Sequence, residues 1–174
     1  DWGVRGTAAW ALGELGDPRA VEPLIRSLID IYWSVRSNSL YALAVFGKSA
    51  VGPLIRALKD KNEDMRYSAA GVLGEIRDPD SIEPLMALFS DEDQDVRMSA
   101  VYSVGRIGKP ALPLLLTALS DNAEEMRIGA IFALGETGAK EAIEPLSRLS
   151  EDPNEKVREV AAMAVEKIIK LNHR

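Results

Sequence analysis

The 174-residue chain sets 21 Lys and Arg against 27 Asp and Glu, a formal net charge of −6 at pH 7, and has no cysteine. That balance is wrong for gripping a phosphate backbone, and the missing thiols exclude disulfides, thiolate zinc sites and cysteine nucleophiles. No apolar run approaches the roughly 20 residues of a membrane-spanning helix and no secretory signal opens the sequence, so a cytoplasmic protein is expected, with neither membrane nor nucleic acid as partner. Because the numbered chain starts at Asp1, it is expected to be a processed or excised piece of something longer.

Val4-Arg5 opens the first of six related segments, which recur at Val35-Arg36, Met65-Arg66, Val96-Arg97, Met126-Arg127 and Val157-Arg158. Successive arginines are separated by 31, 30, 31, 30 and 31 residues, the mark of a repeat protein. Counted from each arginine, apolar or small residues fall at −1, +3, +4, +7 and +10, as in Met65, Ala69, Ala70, Leu73 and Ile76. That is one stripe of a 3.6-residue period, so each copy predicts an amphipathic helix. Gly16, Gly47, Gly108 and Gly138 at +11 predict left-handed C-caps. Arg77 holds that place in the third copy and predicts a local irregularity.

Each cap is followed by a second apolar segment: Ala20 to Leu28, Ala50 to Leu58, Ser81 to Phe89, Ala111 to Leu119 and Ala142 to Leu149. These predict partner helices, with Pro23, Pro53, Pro84, Pro113 and Pro145 near their starts, where a proline costs least but still loosens the opening. Asp17-Pro18 and Asp78-Pro79 predict an N-cap followed by a first-turn proline, and they supply the extra residue of the 31-residue steps. A polar turn then leads to the next arginine, always with an aspartate six residues before it. Asp30 with Arg36, Asp60 with Arg66, Asp91 with Arg97, Asp121 with Arg127 and Asp152 with Arg158 are expected to form a ladder of charge-assisted hydrogen bonds.

A single helix pair is too small to bury its own apolar face, so the pairs must stack. The fold expected is all-α, an α-solenoid of antiparallel helix pairs. It forms a single unit over 1–174: an unpaired first helix at 1–16, then repeats 17–47, 48–77, 78–108, 109–138 and 139–174. The motif Val-Arg-x-x-Ala-x-x-Ala-Leu-Gly, followed by Gly-Asp-x-x-Ala-Val-x-Pro-Leu-Ile, resembles the short HEAT-like repeats named after the phycobilin lyases, along the whole chain. The resemblance implies that the arginine helices line the concave side and the partner helices the convex side.

No catalytic constellation assembles. His173 is the only histidine, which rules out a two-histidine metal site or a histidine acid–base pair within one chain. Asp60-x-Asn62-x-Asp64 and Asp91-x-Asp93-x-Asp95 begin like calcium loops, but Met65 and Val96 stand where such a loop needs glycine, and Gly71 and Tyr102 where it needs glutamate. The chain is therefore expected to be neither an enzyme nor a cofactor protein.

The solvent side of the arginine helices departs from the usual Lys and Glu. Position +5 is Trp10, Tyr41, Gly71, Tyr102, Phe132 and Met163, and position +1 includes Tyr67, Met98 and Ile128. Residues four apart share a helix face, so stacking aligns Tyr67, Met98, Tyr102, Ile128 and Phe132 with Trp10, Tyr41 and Met163 in one aromatic and apolar band. Glu14, Glu75, Arg106, Glu136 and Lys167 at +9 supply a polar rim, the usual anatomy of a protein-binding surface. The expectation is a non-catalytic scaffold that holds a peptide or protein along this band. The alternative implied by the resemblance is a chromophore lyase or carrier with a tetrapyrrole against Trp10, Tyr41, Tyr67 and Tyr102. Trp2, Tyr32 and Trp33 predict a second contact area at one edge. At the N-terminal end, Val4, Ala8, Leu12 and Leu15 predict an open apolar face through which residues 1–16 self-associate or which further repeats of a longer parent protein cover, whereas Glu166, Lys167 and Lys170 predict a capped C-terminal end.

Overall fold

The computed structural model describes residues 1–173, and among them every regular element is helical. In chain order the α-helices are α1 (Trp2–Leu15), α2 (Val21–Arg26), α3 (Trp33–Phe46), α4 (Lys48–Ala57), α5 (Glu63–Ile76), α6 (Ile82–Met86), α7 (Gln94–Ile107), α8 (Leu112–Ala118), α9 (Glu124–Thr137), α10 (Ile143–Arg148) and α11 (Glu155–Asn172). Odd-numbered helices carry the arginines and stand side by side in one row, and even-numbered helices pack behind them. The apolar stripe does what its period requires. Met65, Ala69, Ala70 and Leu73 of α5 and Val96, Ala100, Val101 and Val104 of α7 are buried in a continuous core.

The partner segments are less regular than their hydrophobicity predicts. Only α4 is a continuous helix, with Pro53 inside it. The other four open on a 3₁₀ turn, and their α-helical parts run to only five to seven residues, with a proline in the first turn of each. A proline there removes an N–H and crowds the preceding turn, which favours the tighter winding.

Two turn types account for the alternating repeat length. In the 31-residue steps the cap is left-handed, at Gly16 (φ 67°, ψ 16°), Arg77 (φ 57°, ψ 30°) and Gly138 (φ 65°, ψ 13°), followed by one extended residue, Asp17, Asp78 or Ala139, before the 3₁₀ turn. Asp17 and Asp78 accept N–H groups from Arg19 and Asp80, as their N-cap position predicts. In the 30-residue steps Gly47 (φ 56°, ψ −129°) and Gly108 (φ 80°, ψ −134°) turn the chain directly into the next helical segment. No side-chain-bearing residue adopts that conformation without strain, whereas an arginine tolerates the left-handed state of Arg77 at moderate cost.

Along the row, the arginine helices approach through glycines at +8. A Cβ on Gly13 would sit 2.7 Å from that of Ala42, one on Gly74 2.7 Å from that of Ser103, and one on Gly105 2.4 Å from that of Glu136. Gly135 faces Ala164 less tightly, with 3.4 Å to its Cβ. The junction between α3 and α5 breaks this pattern, because by register Ala44 stands at the glycine position and Val72 at the small one. α3 accordingly packs less closely on α5 than α1 packs on α3 or α5 on α7.

Candidate functional site on the arginine-helix face

The arginine–aspartate ladder exists, but its connections differ from the pairs expected at six-residue separation. Nη1 of Arg36, Arg66, Arg97, Arg127 and Arg158 donates to the backbone carbonyl of the aspartate six residues earlier, at 2.7 to 3.0 Å, and does not reach that residue's carboxylate. Each carboxylate instead accepts the N–H two residues on, which folds the turn. Where the carboxylate is ion-paired, its partner is the arginine one repeat upstream. Arg5 grips Asp30 at 2.7 and 3.0 Å, Arg66 grips Asp91 at 2.8 Å through both Nε and Nη2, and Arg127 Nε lies 3.4 Å from Asp152.

These three pairs are 25 residues apart. In the 30-residue steps the aspartates, Asp60 and Asp121, fall 24 residues after Arg36 and Arg97, and neither forms a bridge. One residue of repeat length therefore decides whether a junction is bridged. The Nε–Nη2 edges of Arg36 and Arg97 have no protein acceptor among the described residues. Electrostatics follow the geometry: hydrogen bonds from Arg5 and Arg66 hold the carboxyls of Asp30 and Asp91 below the ordinary carboxylate value, and the same bonds raise both guanidinium groups.

The +5 side chains form a row across this face. Trp10, Tyr41, Tyr102 and Met163 are between 47% and 62% exposed, and Tyr67 at +1 is 49% exposed. Met98 is half-buried, and Ile128 and Phe132 are half-buried against the core. The +9 rim is cross-linked between neighbours, with Arg106 on Glu75 and Lys167 on Glu136. Three clefts interrupt the row. One of about 480 Å³ brings Tyr102, Phe132 and Met163 together with Gly135 and the stem of Lys167. A second, between α7 and α9, is lined by Arg97, Ile128, Phe132 and Phe89. The third, about 380 Å³ between α3 and α5, joins Tyr67 to Trp33 and Arg36 over Gly71.

The edge residues divide. Trp2 stacks on Tyr32 with ring centroids 6.0 Å apart, and the Arg5 guanidinium lies 5.7 Å from the Tyr32 ring centre, so this pair braces the Arg5–Asp30 bridge. Trp33, 72% exposed, is not folded over its turn and forms a wall of the α3–α5 cleft. The structure thus joins Trp33, expected at an edge, to Tyr67, expected in the band, and adds Arg36, Ser37 and Leu40 to the site; the signal for it is the 24-residue separation of Asp60 from Arg36. Among the described residues no group of three His, Cys, Asp or Glu is placed to hold a metal, and no helix is long and apolar enough to cross a membrane.

Comparison with known proteins agrees with this geometry. The sequence matches the model for HEAT repeats over residues 28–105, 51–127 and 112–171, and that for the PBS lyase HEAT-like repeat over residues 4–30. No curated protein matches. Among solved structures it is similar to the complex of CpcE and CpcF of phycocyanin lyase from Nostoc sp. PCC7120, with 23% identity over 85% of this chain and 99% of that one, at a TM-score of 0.62. Human deoxyhypusine hydroxylase in complex with glycerol is similar at 20% identity over 95% of this chain and 79% of that one, TM-score 0.56. The archaeal HEAT-like repeats protein from Thermococcus onnurineus NA1 is similar at 16% identity over 95% of this chain and 76% of that one, also at 0.56. Stacked helix pairs, an arginine in every odd-numbered helix and family models that together span residues 4–171 lead to one conclusion: the chain belongs to the HEAT-repeat family.

Proposed function

We propose that the protein is a non-catalytic interaction scaffold that holds a protein or peptide along the arginine-helix face. The observation that carries this reading is the row of half-exposed Trp10, Tyr41, Tyr67, Tyr102 and Met163, interrupted by clefts and rimmed by ion-paired charges. Trp and Tyr side chains, which offer a large area with few rotatable bonds, are the usual anchors of a protein interface. The similar phycocyanin lyase chain comes from a complex of CpcE and CpcF, which supports a protein partner. A photo-crosslinking amino acid placed at Tyr41 or Tyr102, and as control at Glu83 on a partner helix, tests it in native-host extract. Discrete adducts from 41 and 102 but none from 83 are expected, and adducts from 83 alone would sink the reading.

The tetrapyrrole reading draws support from the name of the matching repeat model and from the phycocyanin lyase neighbour. Against it, Trp10, Tyr41, Tyr67 and Tyr102 stand on four different helices, and Tyr67 and Tyr102 line separate clefts. A shared fold carries activity poorly. Titration with bilins and haem separates the two readings, since the scaffold reading expects no shifted absorption band at tens of micromolar protein.

A further inference from the structure

The two unbridged junctions differ in charge. Beside Arg97, the α7–α9 cleft holds Asp91, Glu124, Glu125 and Lys156, so its cations are already balanced. The α3–α5 cleft contains one charged side chain, Arg36. Nη1 of Arg36 is fixed by the carbonyls of Asp30 at 2.7 Å and Ile31 at 3.2 Å, which orients the guanidinium plane. The edge left over is the one that Arg5 and Arg66 present to carboxylates, and the Asp30 carboxylate is itself engaged by Arg5. Around it stand Trp33, Tyr67 and Leu40, and the floor is Gly71, where a Cβ would meet only Ser99 Oγ at 3.8 Å. All five other +5 positions carry an aromatic ring or Met163, so Gly71 is what keeps this cleft open.

We propose that this cleft is a recognition subsite for an Asp or Glu side chain in an extended segment of the protein partner, its carboxylate on the free guanidinium edge of Arg36 and a neighbouring apolar side chain between Trp33 and Tyr67. The proposal rests on the scaffold reading. Arg36 offers a carboxylate the same planar two-donor edge that its relatives use within the fold, a geometry that lysine does not reproduce. An internal side chain fits better than a chain end, because the row continues past the cleft on both sides, to Tyr41 and Trp10 in one direction and Tyr102 and Met163 in the other. Against a net charge of −6, a cleft whose one charged side chain is a cation favours an acidic residue at that point, which sets the register of the bound segment.

The test uses four pools of acetylated decapeptides with mixed flanking residues. Three are C-terminally amidated with a central Phe-Glu-Leu, Phe-Gln-Leu or Phe-Lys-Leu, and the fourth carries the central Gln with a free C-terminal carboxylate. On the wild-type protein the Glu pool should bind at least about tenfold better than the Gln and Lys pools, the scale of one charge-assisted contact. Arg36→Gln should bring the Glu:Gln ratio close to one, and Arg97→Gln should leave it unchanged. Gly71→Trp, which fills the cleft while leaving Arg36 and its carbonyl bonds in place, should also abolish the preference without lowering the melting temperature. A Glu:Gln ratio near one on the wild type, a preference that survives both Arg36→Gln and Gly71→Trp, or enrichment of the free-carboxylate pool instead would each overturn the proposal. If Tyr102→Ala weakens all pools while the wild-type ratio is one, the subsite falls and the scaffold reading stands. If no pool binds the wild type, both fall.

Discussion

At the scale of single residues, the repeated arginine has two jobs of unequal energetic weight. Its Nη1 bond to a backbone carbonyl closes the turn in every repeat from Arg36 onward, and its Nε–Nη2 edge bridges to the next repeat only where an aspartate stands 25 residues on. The Arg66–Asp91 bridge is the buried one, with side chains 8% and 9% exposed, whereas Arg5 in the Arg5–Asp30 bridge is 44% exposed. Arg66→Ala strands Asp91 and should cost about 3 kcal/mol, the lower end of what breaking a buried pair costs. Arg5→Ala should shift a urea midpoint only slightly, because solvent screens an exposed pair. Both carboxyls have folded values below the ordinary 3.8. Their contribution is complete above that value and disappears as pH falls through the lowered folded one. Urea midpoints measured between about pH 5 and 2 should therefore fall steeply for the wild type and less steeply for Arg66→Ala, since Asp91 no longer has a guanidinium to lose.

At the scale of elements, the helices and their order were legible because each rests on a local signal: a 3.6-residue stripe, a cap, a proline. The register between helices was not, because it is set by the relation of one turn to the next. The carboxylate of Asp30 was expected on Arg36, and it lies on Arg5 because a turn of one residue more brings it under the preceding helix. The +5 row was legible in the same local way, whereas the joining of Trp33 with Tyr67 depended on the Ala44 and Val72 substitutions that loosen one junction. The two turn types both favour glycine at their +11 residue, but with unequal strength. Arg77 is exposed and held at φ 57°, so Arg77→Gly relieves a left-handed side chain and should stabilise by about 1 kcal/mol, after the extra freedom it gives the unfolded chain is discounted. Gly47→Ala, at φ 56° and ψ −129°, should destabilise by more than that, because alanine has no comfortable version of this turn. Thermal melts of the two variants beside Gly16→Ala, where the conformation is ordinary left-handed, should rank Arg77→Gly highest, Gly16→Ala below it and Gly47→Ala lowest.

At the scale of the whole molecule, a solenoid is stabilised repeat by repeat, and α1 and α11, the outermost arginine helices among the described residues, present different outer faces. Helix α11 directs Lys167 back onto Glu136 of α9 and pairs Lys170 with Glu166 along its own surface, so ion pairs stand among its exposed Ile169 and Leu171. The first helix has no such dressing. The stripe that is buried in α5 and α7 stands open in α1, where Val4 is 68% and Leu15 76% exposed and Ala8 is also exposed, while Leu12 is half-buried. Trp2, although stacked on Tyr32, remains 52% exposed beside them. Apolar side chains at helical spacing along one face make a surface that water penalises and a second copy of the same face relieves, at roughly 25 cal/mol for each Å² covered. This polypeptide should therefore gain mass with concentration in light scattering, through a symmetric contact of α1 with α1. Val4→Glu combined with Leu15→Lys changes only side chains that are open in the monomer, so it should abolish the gain and leave the circular dichroism spectrum and melting temperature unchanged. A mass that stays monomeric across a hundredfold range of concentration, in the wild type and the variant alike, would remove the α1 face from consideration as a contact surface.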